Sequence, residues 1–320
     1  MKVSVLGCGR WGSFIAWYLN RNGHDVTSFG IAEDPYVVEF FKTRVNSYVT
    51  FPESINLTTN LDEALDNSEV IVISISSQAL REFMQKVIAT NKYKDKKFVL
   101  CMKGIENTTG KRLSEVMIES GIDKNNIAVW VGPGHIQEFT RGVPNLMIID
   151  SYNKDLSAYL ISNFKSDLIR YYQGDDIIGT EIGAAAKNVM GLAAGMLDGG
   201  GYTSLKGALI ARGAREVSRL IKAAGGNELS AYGLCHIGDY EATLFSEHSH
   251  NRKYGESFVQ GIKFDKLAEG VPTSVALLKL AEKYNVEMPI TKAVHSIVYE
   301  EKDAMQTLLS LFARTNLNEF

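Results

Sequence analysis

An α/β fold, with a doubly wound first domain and an all-α second domain, is what this sequence predicts, and three observations predict it. Short apolar runs alternate with helical patterns from residue 3 to about residue 172. A glycine-punctuated turn, Leu6-Gly7-Cys8-Gly9-Arg10-Trp11-Gly12-Ser13, closes the first of those runs. Beyond about Gly179 the strand-like runs stop and long helical segments take over. Strand–helix alternation argues for a mostly parallel sheet with helices on both faces. The change of texture places one domain over residues 1–178 and an all-helical substrate domain over residues 179–320, joined without a Pro- or Ser-rich linker.

Taken in order, Val3 to Leu6 is a short apolar strand, and Phe14 to Asn22 has helical spacing with Gly23 where a helix C′ glycine belongs. Asp25 to Phe29 reads as the second strand. Further strands are expected at Glu69 to Ile75, Phe98 to Met102, Ile127 to Val131, Leu146 to Ile149 and Leu168 to Tyr172, with helices at Ala79 to Thr90, Leu113 to Ser120 and Lys154 to Phe164. In the second half, Glu181 to Leu197, Leu205 to Ala224, Val275 to Tyr284 and Ile290 to Tyr299 carry helical periodicity.

The glycine turn is G-x-G-x-x-G between a strand and a helix, the context in which that pattern binds a dinucleotide. Gly7 permits the tight turn, Gly9 lets the backbone approach a pyrophosphate, and Gly12 lets the helix pack close to the strand. The helix N-terminus offers N–H groups to the negative charge. An ordinary glycine-rich strand–helix turn is the alternative. The context makes the first domain a Rossmann-type one.

Composition removes several function classes. With 34 Lys and Arg against 37 Asp and Glu, the net charge is −3, so nothing global attracts nucleic acid or an anionic membrane. Cys8, Cys101 and Cys235 are widely spaced and read as reduced thiols, not as a disulfide or metal framework. The first strand begins at residue 2 or 3, and no apolar run reaches the roughly 18 residues of a membrane span. The expectation is a cytoplasmic protein. His248 and His250, two apart on a polar loop, are poor metal ligands, and no metal site is expected. No hydrolase elbow, H-E-x-x-H or P-loop occurs.

Four places could carry chemistry. Lys187 projects from the small-residue run Gly183-Ala184-Ala185-Ala186-Lys187-Asn188-Val189, continued by Gly191, Ala193, Ala194 and Gly195. A surface lysine on an alanine-rich helix is the plain reading. A run this small suits a buried interdomain helix better, and burial would lower the lysine pKa toward the range useful for proton transfer. Lys103, followed by Gly104, ends an apolar strand, the edge where α/β folds present ligands, although it could equally be a surface lysine. Gly132-Pro133-Gly134-His135 follows another strand end and could equally be a plain turn. Asp239 in Gly238-Asp239 would by default be a turn or capping aspartate.

Together these motifs resemble the bacterial-type NAD(P)-dependent glycerol-3-phosphate dehydrogenases. The resemblance runs through Gly7-x-Gly9-x-Trp11-Gly12, Ser77-Gln78-Ala79-Leu80-Arg81, Lys103-Gly104-Ile105-Glu106 and Gly132-Pro133. It continues through Ala186-Lys187-Asn188-Val189, Ala208-Leu209-Ile210-x-Arg212-Gly213, Gly238-Asp239 and Asn251-Arg252-Lys253-Tyr254-Gly255. It implies hydride transfer between NAD(P)H and dihydroxyacetone phosphate or sn-glycerol 3-phosphate. Lys187 would be the proton donor or acceptor at the C2 oxygen. Lys103, Gly132, Gly134, Asp239, Ser249, His250 and Asn251 would hold the substrate. Gly7, Gly9, Arg10, Trp11, Gly12, Lys103, Ile136, Arg252 and Glu269 would hold the cofactor.

Two departures fall on the substrate phosphate. His250 stands where the family has an arginine, and Gly134 where it has a serine. Histidine is only partly charged at pH 7 and lacks the guanidinium fork. One lost charge-assisted hydrogen bond costs about 1.5–3 kcal/mol, unless Arg252 and Lys253 compensate. The stretch after the second strand, Phe29-Gly30-Ile31-Ala32-Glu33-Asp34, carries no arginine for a 2′-phosphate, and its acids come late. Arg10 could meet such a phosphate, yet the balance favours NAD over NADP. Two other readings stay open, a same-fold dehydrogenase of a different small hydroxy compound and a catalytically silent nucleotide-sensing protein. A homodimer is the expected assembly if the chain self-associates.

Overall fold

The computed structural model describes residues 1–66 and 68–313. The chain forms two compact units, one comprising Met1–Met102 and Leu113–Asp175, the other Lys103–Arg112 and the chain from Asp176 onward.

The first unit is built on eight strands: β1 (Lys2–Leu6), β2 (Asp25–Phe29), β3 (Ile55–Thr58), β4 (Val70–Ile73), β5 (Lys97–Leu100), β6 (Ile127–Val131), β7 (Asn145–Ser151) and β8 (Ile169–Gln173). Their order is β3-β2-β1-β4-β5-β6-β7-β8. All neighbours are parallel except β6 and β7, which pair antiparallel from Ala128↔Ser151 to Val131↔Ile148. Seven helices connect them: α1 (Arg10–Arg21), α2 (Pro35–Thr43), α3 (Leu61–Asp66), α4 (Leu80–Ala89), α5 (Leu113–Glu119), α6 (Ile136–Thr140) and α7 (Lys154–Phe164). The mostly parallel sheet matches the expectation, and β3, α2, α3 and α6 are additions to it. The edge strand β3 is four residues long with two polar positions, so only its pairing with β2, Val26↔Ile55 to Phe29↔Thr58, defines it. The core holds Phe14, Tyr18, Trp130 and Phe164 fully buried, with Tyr18 edge-on to Trp130 at 6.0 Å between ring centres.

The second unit is helical: α8 (Ile177–Gly199), α9 (Lys206–Ala223), α10 (His250–Val259), α11 (Gly270–Lys283), α12 (Pro289–Tyr299) and α13 (Ala304–Ser310). A boundary at 178/179 would cut inside α8, and the Lys103–Arg112 segment joins this unit from far away in sequence. Ile105 from that segment lies in the helical core, and buried Arg112 donates to buried Glu181 of α8 at 2.7 Å. From Ile177 to Leu197 only Ile178 escapes full burial, so α8 is the central helix.

The small residues of α8 have a specific neighbour, the backbone of α10. A Cβ on Gly195 would lie 1.9 Å from the Arg252 carbonyl oxygen, and one on Gly255 would lie 2.1 Å from the Leu192 carbonyl oxygen. The two helices therefore touch backbone to backbone. The polar stretch around His250, expected as a loop, is the start of α10. Its polar composition conceals a helix that Ser249 caps, Oγ accepting from the Arg252 amide at 3.3 Å, and that packing onto α8 holds.

Gly195→Ala must push α10 off α8 and should cost about 3 kcal/mol in a urea or thermal unfolding measurement. Gly207→Ala, on α9 with nothing within 4 Å of the new methyl, should instead stabilise by about 0.5 kcal/mol.

Candidate active site

In the first unit the glycine turn is shaped by close contacts on two of its three glycines and by open space at the third. Gly7 has φ +106°, and a Cβ there would lie 2.3 Å from the Ser74 carbonyl oxygen. A Cβ on Gly12 would lie 1.9 Å from the Gly7 carbonyl oxygen. Around Gly9 nothing lies within 4 Å of that position. The first turn of α1 contains no acidic residue, and no side chain caps it. The N–H groups of this helix start thus suit an anion, and a dinucleotide pyrophosphate fits this turn. Arg10 is exposed at the helix start, and Trp11 packs on Phe14 at 5.1 Å and Phe139 at 6.3 Å.

The same Phe139 explains Gly134. That glycine has φ +133°, and a Cβ would lie 2.4 Å from the Phe139 ring, so a serine does not fit here. Gly134 can meet a ligand only through its backbone, whatever the substrate. Gly132 approaches the Met147 backbone, 2.9 Å from where its Cβ would be. Ile136 is buried in the core, leaving only its backbone to face a ligand.

In the second unit, Lys103, Lys187 and Asp239 converge. Asp239 Oδ2 lies 2.6 Å from Lys103 Nζ and 2.8 Å from Lys187 Nζ. Lys187 Nζ also donates to Thr243 Oγ1 at 2.7 Å. Asp239 is 1% exposed and the Lys187 side chain 9%. Burial pulls the Lys187 pKa down to about 8, with Asp239 opposing the shift and Lys103 adding to it. Asp239 ends a short 3-10 turn (Ile237–Asp239), and Thr243 lies in the single π-helical turn that follows (Glu241–Phe245). Two ammonium groups against one carboxylate leave an excess positive charge around a buried amine of lowered pKa.

A directed chain of side-chain amides braces this cluster. The Gly270 amide donates to Asn251 Oδ1 at 2.9 Å, Asn251 Nδ2 to Asn188 Oδ1 at 3.0 Å, and Asn188 Nδ2 to the Lys103 carbonyl at 3.1 Å. An N–H group at one end and a carbonyl at the other permit only one orientation of both amides. Asn251 is thereby placed next to Asn188, and Asn188 to Lys103.

Other residues expected in the site have different partners. Arg252 Nε binds Asp198 Oδ2 at 2.6 Å, an oxygen that Lys206 Nζ also approaches to 2.6 Å. Ser249 caps α10 through its hydroxyl. His250 turns Nδ1 toward the Leu267 carbonyl at 3.3 Å and packs edge-on to Phe264. Glu269 precedes α11 and is half-buried. Thr243 and Asn188 join the cluster without having stood out in the sequence as site residues. Asn188 follows Lys187 directly, whereas the position of Thr243 depends on a π turn that sequence periodicity does not reveal.

Residues 2–157 match the model of the NAD-dependent glycerol-3-phosphate dehydrogenase N-terminus, and residues 176–309 that of its C-terminus. The chain is 36% identical over 328 residues to the NAD(P)+ glycerol-3-phosphate dehydrogenase of Fusobacterium nucleatum, covering 98% of this chain and 97% of that protein. It is also 36% identical to the enzyme of that name from Prosthecochloris aestuarii, covering 98% of each. Among solved structures, glycerol-3-phosphate dehydrogenase from Coxiella burnetii aligns with a TM-score of 0.89 at 29% identity over 98% of both chains.

The glycine turn supplies a contrast between fold and binding. Gly12→Ala should destabilise the first unit by about 3 kcal/mol. Gly9→Ala should leave the melting temperature unchanged and weaken NADH binding, followed by fluorescence titration, by about tenfold.

Proposed function

Because the chain belongs to the NAD-dependent glycerol-3-phosphate dehydrogenase family, we propose that it interconverts dihydroxyacetone phosphate and sn-glycerol 3-phosphate with NAD(P)H. The observation that carries this reading is Lys187, buried and held between Asp239 and Thr243 with a lowered pKa. A nicotinamide coenzyme bound at the glycine turn would supply or accept the hydride. Lys187 Nζ gives its proton to the C2 oxygen in reduction and takes it back in oxidation. Lys103 adds positive charge to the site, which favours negative charge developing on that oxygen. Asp239 keeps both ammonium groups in place. The glycine turn, with Arg10, Trp11 and Ile136 beside it, belongs to the coenzyme in this reading, and Asn251, Ser249 and His250 to the substrate.

NAD is the preferred coenzyme in this reading. Between β2 and α2 the chain offers no basic residue, Glu33 is exposed, and Asp34 caps α2 by accepting from the Tyr36 amide at 2.9 Å. An acid near the ribose favours hydroxyls over a 2′-phosphate. The burial of Cys8, Cys101 and Cys235 supports a reducing, cytoplasmic setting. No helix among the described residues is long and apolar enough to cross a membrane. A two-fold homodimer belongs to the same proposal, with light scattering as its test.

The second reading, a different small hydroxy substrate, now rests on His250 alone, since Phe139 accounts for Gly134. Absorbance loss of NADH on adding dihydroxyacetone phosphate decides between them. Turnover supports the family reaction, while coenzyme binding without turnover turns attention to His250. NADPH should be used about tenfold less efficiently or worse.

Lys187→Ala should keep coenzyme binding and lose about 10²- to 10⁴-fold in kcat. Reduction needs the ammonium form, so its kcat should fall as pH rises through about 8. Oxidation needs the neutral amine and should rise over the same range. A flat profile in both directions would remove Lys187 from the proton-transfer role.

A further inference from the structure

We infer that His236 and Tyr240 are positioning residues for Asp239 and, through it, for Lys187; the inference rests on reading Lys187 as the proton donor. Neither residue belongs to the cluster itself, and both are buried. His236 Nδ1 lies 2.9 Å from the Gly183 carbonyl, and its Nε2 lies 2.7 Å from the Tyr240 hydroxyl. A carbonyl can only accept, so Nδ1 carries the proton. A neutral imidazole has one N–H, so Nε2 accepts and the Tyr240 hydroxyl donates. Tyr240 thereby selects the ring form that can grip Gly183.

The grip sets the geometry of the charged pair from both sides. Gly183 is one helical turn before Lys187 on the same face of α8. The approach there is tight, since a Cβ on Gly183 would lie 3.0 Å from Cys235 Sγ and 3.1 Å from His236 Cβ. Asp239 is three residues after His236, its amide donating to the His236 carbonyl at 3.0 Å. Both partners of the 2.8 Å Lys187–Asp239 contact are thus referred to the single bond between His236 and Gly183.

The pair also stays silent in charge. Among the described residues, Lys187 and Asp239 act on His236 by their charge, and Glu216 acts on Tyr240. Burial holds the His236 pKa down at about 4 and pushes the Tyr240 hydroxyl well above its ordinary value. Between about pH 5.5 and 9 neither titrates, so a change in the pH profile on altering them reports on Lys187.

The test uses the full-length enzyme with NADH and dihydroxyacetone phosphate, comparing Tyr240→Phe, His236→Asn and His236→Ala with the unsubstituted protein. Asparagine retains an amide donor near the place of Nδ1, whereas alanine does not. Tyr240→Phe should lower kcat about tenfold with KM within about twofold, the scale of a slightly misplaced catalytic group. It should also move the limb of the kcat profile near pH 8 by about half a unit or more. His236→Asn should recover part of what His236→Ala loses. A folded Tyr240→Phe enzyme with unchanged kcat and unchanged limb overturns the inference. So does ¹⁵N spectroscopy of the unsubstituted enzyme showing the proton on His236 Nε2, a measurement that no folding defect can obscure. Lys187→Ala separates the two levels: if it retains turnover, the proton-donor reading and this inference fall together. If it is inactive while Tyr240→Phe behaves as the parent, only the positioning role falls.

Discussion

Asp239 Oδ2 accepts two ammonium groups in a place nearly closed to water, and the second unit is arranged around that fact. Burying a carboxylate and two amines is unfavourable unless their geometry is held, and removing one partner of such a set costs about 3–5 kcal/mol. In the proposed reaction the same arrangement tunes the proton donor. Burial depresses the lysine pKa, while the carboxylate limits how far it falls and keeps an appreciable ammonium fraction near neutral pH. A lysine with no acid beside it would surrender its proton too readily, and a fully solvated one would hold it too firmly.

Holding that geometry requires a rigid frame, which the small residues of α8 permit. Their lack of bulk lets α10 lie directly on the α8 backbone and brings Asn251 within reach of Asn188, one residue after Lys187. From there the amide chain passes to the carbonyl of Lys103. Packing that looks purely structural, glycine against carbonyl, therefore ends on the two lysines. Elsewhere in the unit, buried Glu216 of α9 accepts from the Ile290 and Thr291 amides at the start of α12. Burial raises its pKa, and those hydrogen bonds oppose the rise. Polar groups placed at helix ends thus join elements that apolar contact alone would allow to slide.

Much of this was legible in the residues themselves. Strand–helix alternation and the glycine turn specify the first sheet, because the central strands β4, β5 and β6 bury both faces and read as short apolar runs, while the glycines mark the turn that follows β1. The burial of Lys187 was legible too, from the size of its neighbours. What escaped has physical reasons. Strand β3 carries too little apolar pattern to stand out from a loop, and α10 is polar because its buried contact is made by backbone rather than side chain. Thr243 meets Lys187 from within a π turn, a local register that hydrophobic periodicity does not reveal. The environment of Gly134 depends on Phe139, whose ring fills the space a side chain there would need.

The excursion of Lys103–Arg112 into the helical unit carries a consequence for modularity. A fragment beginning at Asp176 would look like a self-contained helical domain, yet it would lack Ile105 from its core and leave Glu181 without the Arg112 guanidinium. It would also leave Asp239 with one lysine instead of two. The helical half is therefore not a portable module: its charge balance is completed by ten residues encoded inside the other half. Any recombination that exchanges the C-terminal part between distant relatives must carry that short insert with it.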